Sequence, residues 1–85
     1  MRNRSLRLDE LLAESTWVRR VAYSLLRDSH GAEDVAQEVL AAAYQQQPTA
    51  LGGDLRGWLR TVTQRKAARK KQLERNRALA EKRAA

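Results

Sequence analysis

Apolar residues in this chain recur at steps of three and four, and no stretch sustains the two-residue alternation of a half-buried strand. That pattern points to an all-α fold. Leu8, Leu11 and Leu12 form one apolar patch, and Val18, Val21, Ala22, Leu25 and Leu26 form a second, within a segment from about Leu6 to Arg27. Glu14-Ser15-Thr16 lies between them, so the segment is either two helices, the second capped by Ser15 or Thr16, or one bent helix. Asp28-Ser29-His30-Gly31 reads as a turn. A further helix, roughly Ala32 to Gln46, presents Ala32, Val35, Ala36, Val39, Leu40, Ala43 and, at its end, Tyr44 on one face. Glu33 and Asp34 then sit in its first turn, where the helix dipole favours acids.

Gln47-Pro48-Thr49-Ala50-Leu51-Gly52-Gly53 is the clear loop, and Asp54 is a good N-cap for the last helix. That helix carries Leu55, Trp58, Leu59 and Val62 on one face, and Trp58 is expected in the core against Val35, Val39 and Leu40. Beyond Val62 the apolar stripe fades, with Lys66, Arg69, Lys70 and Lys71 in the core-facing positions. Residues 1–71 therefore read as one helical domain. Residues 72–85 read as a basic extension that projects or frays, since a helix without tertiary contacts is marginal.

A chain of 85 residues allows one small domain, and the absence of cysteine leaves helix packing to hold it. His30 is the single histidine, so neither a zinc site nor a histidine-based catalytic constellation is expected. With no phosphate-binding glycine motif either, the chain does not read as an enzyme, and no cofactor or metal is expected. No apolar run is long enough to span a bilayer and no secretory signal is visible, so a cytoplasmic protein is the expectation, without a membrane partner. Charge is segregated. Residues 1–55 hold six basic and eight acidic residues, a net of −2; residues 56–85 hold eleven basic and two acidic, a net of +9. The C-terminal part suits a polyanion.

The order of two motifs carries a resemblance. Ala32-Glu33-Asp34-Val35-Ala36-Gln37-Glu38 is followed by the Pro/Gly loop, then by Leu55-Arg56-Gly57-Trp58-Leu59-Arg60-Thr61-Val62 and a basic helix. From about Leu11 to Lys71 this resembles region 2 of the extracytoplasmic-function (ECF) sigma factors, of the sigma-70 family. The resemblance implies a small three- to four-helix bundle with a projecting basic C-terminal helix. It implies an acidic helix that docks on the clamp coiled coil of the largest subunit of core RNA polymerase. It also implies a loop and final helix that recognise and melt the promoter −10 element, the loop holding a flipped base of the non-template strand. An anti-sigma factor is a further partner that such a class admits. The chain departs from the family after Glu38, where Val39-Leu40-Ala41-Ala42-Ala43-Tyr44 replaces bulkier residues. It departs again after Val62, where Arg65, Ala67 and Arg69 replace an Asn, an apolar residue and an Asp. It also lacks a second domain for the −35 element, so it is expected to be either a fragment or a reduced stand-alone member.

On this resemblance the polymerase-binding residues are Asp34, Gln37 and Glu38, whose plain alternative is a solvated helix face. The DNA-binding residues are Thr49, Ala50, Leu51 and Gly52 of the loop, with Arg56, Arg60, Gln64, Arg65 and Arg69 tracking one side of the last helix. Two other readings stay open: a basic helical nucleic-acid-binding protein independent of polymerase, and a sigma-like adaptor that binds polymerase or an anti-sigma factor without reading DNA. The first is separated from a sigma domain by polymerase binding, the second by −10 preference.

Overall fold

The computed structural model describes residues 6–48 and 54–84, and these form four helices: α1 Leu8–Ala13, α2 Ser15–Leu26, α3 Ser29–Gln46 and α4 Leu55–Ala84. The expected loop residues Thr49, Ala50, Leu51, Gly52 and Gly53 lie outside the described residues. No strand occurs among the described residues, and α2, α3 and α4 pack on one another with α1 against α3 and α2. The fold is an all-α four-helix bundle.

The joints are tighter than the turn chemistry suggests. A single residue, Glu14, separates α1 from α2, so the first segment is two helices. Neither Ser15 nor Thr16 caps α2. Ser15 is its first helical residue, and its hydroxyl donates backwards to the Leu12 carbonyl at 2.8 Å. Only Arg27 and Asp28 join α2 to α3. Arg27 takes the left-handed conformation at φ 57°, and its N–H closes α2 on the Tyr23 carbonyl at 2.7 Å. The Asp28 carboxylate then accepts from the Gly31 N–H at 3.1 Å, satisfying a donor that a new helix leaves orphaned. Because Asp28 caps at once, Ser29, His30 and Gly31 are helical rather than a turn, and Glu33 and Asp34 fall beyond the first turn. Gly31 is buried, facing the side chains of Asp28 and Lys70. A Cβ on it would come within 2.8 Å of the Asp28 carboxylate and 3.0 Å of the Lys70 stem on α4.

Helix α3 ends on Gln47, also left-handed at φ 50°. The Gln47 side chain clasps the N-terminal segment. Its Oε1 accepts from the Leu6 N–H, and its Nε2 donates to the Leu6 carbonyl at 3.1 Å and the Tyr44 carbonyl at 2.7 Å. Asp54 caps α4 as expected: its carboxylate accepts from Gly57 N–H at 3.0 Å and its carbonyl from Trp58 N–H at 3.0 Å.

The core is built from Leu6, Leu11, Val18, Ala22, Ala32, Val35, Ala36, Val39, Ala43 and Leu59. Four of these ten are alanines, which let helix backbones approach closely. The spacing puts Leu8, Leu11 and Leu12 on one face of α1, but only Leu11 is buried in the bundle: Leu8 is 55% and Leu12 58% exposed. Tyr44 is likewise half-exposed at the end of α3. Trp58 is not the core residue of α4. It is partly buried at the edge, beside Asp54, Gly57, Thr61, Val62 and Arg65, while the neighbouring Leu59 is fully buried. Nor does the buried stripe stop at Val62. It continues through Thr63, whose hydroxyl donates to the Leu59 carbonyl at 2.6 Å, and Ala67, flanked by half-buried Lys66 and Lys70. Lysine stems bury apolar length while the ammonium reaches water.

From Lys71 to Ala84 every residue is exposed, yet α4 runs through the expected boundary at residue 71 without a break. The described residues extend over 61 × 21 × 17 Å, the long axis set by this 30-residue helix. No described helix is long and apolar enough to cross a membrane.

Candidate functional site

The acidic side of α3 and the basic side of α4 meet along one edge of the bundle. Asp34, Gln37 and Glu38 are all exposed, as the face reading requires. None of the three is idle. Glu38 pairs with Lys66 at 3.5 Å and Asp34 with Lys70 at 3.8 Å, while Lys70 also reaches Glu74 at 4.0 Å. The two carboxylates keep more than 60% of their side-chain surface exposed, so an incoming cation can compete for them. Gln37 donates its amide to Glu33 at 3.2 Å. Glu33 in turn takes both arms of Arg19 from α2, at 2.6 and 3.2 Å. The hydrogen bonds from Arg19 and Gln37 hold the Glu33 carboxyl below its ordinary range, and the same bond to Glu33 raises Arg19. Glu33 thus orients Gln37 and ties α3 to α2.

The DNA candidates on α4 do not track one side. At about 100° per residue, Arg56 and Arg60 fall on the flank toward α2, and Arg65 and Arg69 on the opposite flank, with Gln64 between, facing solvent. The contacts agree. Arg56 and Arg60 lie over the Trp17 ring at 4.5 and 5.2 Å, and Arg56 also pairs with Glu14 at 2.8 Å. Arg65 borders the shallow depression beside Trp58 and Thr61. Arg69 borders a groove of about 210 Å³ between α3 and α4 with Val35, Glu38, Lys66, Lys70 and Leu73. The expected single row took successive cations as one face; the helix repeat divides them between two.

Trp17 lies outside the apolar patches read from the sequence. Two guanidiniums, four residues apart on α4, share its half-buried ring. The spacing of Arg56 and Arg60 was visible, but nothing local says which ring they meet.

A family described as Sigma-70 region 2 matches residues 11–78, most of the chain and all four helices in part or whole. The protein belongs to the sigma-70 region 2 family. No curated protein and no solved structure matches it. Sigma-70 region 2 is a domain of transcription initiation factors, and core RNA polymerase and promoter DNA are the partners of that family in general. The match reaches Ala78, beyond Lys71 where burial ends, so part of the exposed helix lies within the region 2 match.

Proposed function

We propose that this sigma region 2 domain binds core RNA polymerase through Asp34, Gln37 and Glu38, and the promoter −10 element through the 49–53 segment and α4. The largest-subunit clamp coiled coil is the polymerase site, the non-template strand the DNA site, and the ECF group the subtype. The location is the cytoplasm, and an anti-sigma factor would compete for the same exposed faces. The observation that carries this reading is the separation of charge: two accessible carboxylates on α3, against a helix whose only acids are Glu74 and Glu81. Charge-assisted bonds from arginines of a basic coiled coil fit the first, and phosphates fit the second.

The test is retention of core polymerase by the Asp34→Asn/Glu38→Gln double variant. Neutral isosteres are preferred to lysines, which would face Lys66 and Lys70. Loss of paired, partly desolvated charges should weaken association by about 2 kcal/mol or more, while the melt barely moves because exposed pairs contribute little. Wild-type retention by a folded double variant would make α3 a solvated face. One observation favours the adaptor as second reading: Arg56 is already engaged by Glu14 and Trp17. Equal affinity for a −10 single strand and a scrambled one would select it.

A further inference from the structure

We infer that the outer face of α4, continuing past the folded body, is a phosphate rail for double-stranded DNA beyond the −10 element. At about 100° per residue, Arg60, Gln64, Lys71, Arg75 and Lys82 fall within a sector of about 60°, with Arg60 at its edge toward α2, over the Trp17 ring. All five are exposed. At about 1.5 Å per residue the row is about 33 Å long. The two acids of the helix lie outside it, on the side toward the bundle, where Lys70 reaches Glu74 at 4.0 Å. Among the described residues none of Arg60, Lys71, Arg75 and Lys82 has an ion-pair partner, whereas Arg56, Lys66 and Lys70, nearer the bundle, are all paired. Arg75 donates to the Gln72 side-chain Oε1 at 2.9 Å, which steadies it.

The composition of the sector selects the occupant. It otherwise holds only Gly57 and Ala78, so no ring is present on which unpaired bases could stack, and a single strand would gain only its phosphates. A membrane surface needs an apolar face opposite the cations, and the exposed Leu73 and Leu79 stand about 120° apart, too few and too divided to form one. A duplex backbone asks only for a straight row of cations without intervening acids. The inference rests on the promoter-binding reading and extends it to duplex that carries no sequence information.

The test compares two charge-matched pairs in the full chain. Arg75→Gln/Lys82→Gln removes two rail cations; Arg77→Gln/Arg83→Gln removes two from the same segment outside the sector. Affinity for a random-sequence DNA duplex is measured over a salt series. The rail pair should flatten the slope of log affinity against log salt by about 1.8, at about 0.9 per phosphate contact, and the second pair should leave it near wild type. Equal flattening by both pairs, or none by the rail pair, overturns the rail. An equal loss of slope on a random single strand overturns its assignment to duplex. Polymerase retention and −10 strand preference are read in parallel on the same variants; both stay at wild-type level if only the rail is wrong, and their absence in the wild-type chain refutes the promoter-binding reading itself.

Discussion

Two residues with nearly the same strained backbone make opposite use of it. Arg27 and Gln47 both end helices in the left-handed region, which costs an L-residue about 1–2 kcal/mol relative to glycine's freedom. Arg27 gets little in return beyond a guanidinium 5.5 Å from the Tyr23 ring. Gln47 receives three side-chain hydrogen bonds, two of them to Leu6. Arg27→Gly should therefore raise stability by about 0.5 kcal/mol, after the extra unfolded-chain entropy of glycine is subtracted. Gln47→Gly should lower it by about 1–2 kcal/mol, since it frees the Leu6 end as well. Urea titrations of the two variants, compared at equal slope, check the sign; two shifts in the same direction would refute the argument.

At the scale of elements, α4 shows what the sequence disclosed and what it hid. Its start was legible because Asp54 precedes a helical run and capping is local chemistry. Its core residue was not. Trp58 and Leu59 are neighbours, and periodicity alone left both on an apolar face about 100° wide. What places Leu59 centrally is the direction from which α2 and α3 approach. Leu59→Ala should cost about 3 kcal/mol, and Trp58→Ala about half that, by thermal melts of the two variants. A larger loss at Trp58 would put the tryptophan back at the centre. The same lack of tertiary information explains the rest. The acidic face of α3 was readable from spacing, but its lysine partners sit 28 and 36 residues away. The early start of α3 hid because Asp28, Ser29 and Gly31 are equally good turn residues until Asp28 is seen to cap.

Across the whole molecule, the two charged faces are not independent, because Lys66 and Lys70 are shared between them. While Asp34 and Glu38 hold these lysines, their charge is partly withheld from phosphates. Neutralising the carboxylates should weaken polymerase binding and at the same time strengthen DNA binding. The Asp34→Asn/Glu38→Gln variant is expected to steepen the salt dependence of −10 single-strand binding by up to about 0.7 for each lysine released. Filter binding at several ionic strengths measures it; an unchanged slope would mean that both lysines are available to DNA already, or never reach it. A basic polymerase surface taking the carboxylates would have the same effect as the mutations, so docking would prime the DNA face.

The alanine-lined core has a further consequence, in terms of how this domain tolerates change. Ala22, Ala32, Ala36, Ala43 and Ala67 are all nearly or fully buried. Each added methylene there forces helices apart, typically at about 1–3 kcal/mol, a large share of what a small domain has. The interior can accept almost no larger residue, whereas α4 is exposed from Lys71 to Ala84 and, as far as folding is concerned, can accept nearly any helix former there. In a saturation library, sequence drift would therefore concentrate on the projecting helix. New binding preferences can arise there one surface residue at a time, while the alanines hold the scaffold unchanged beneath them.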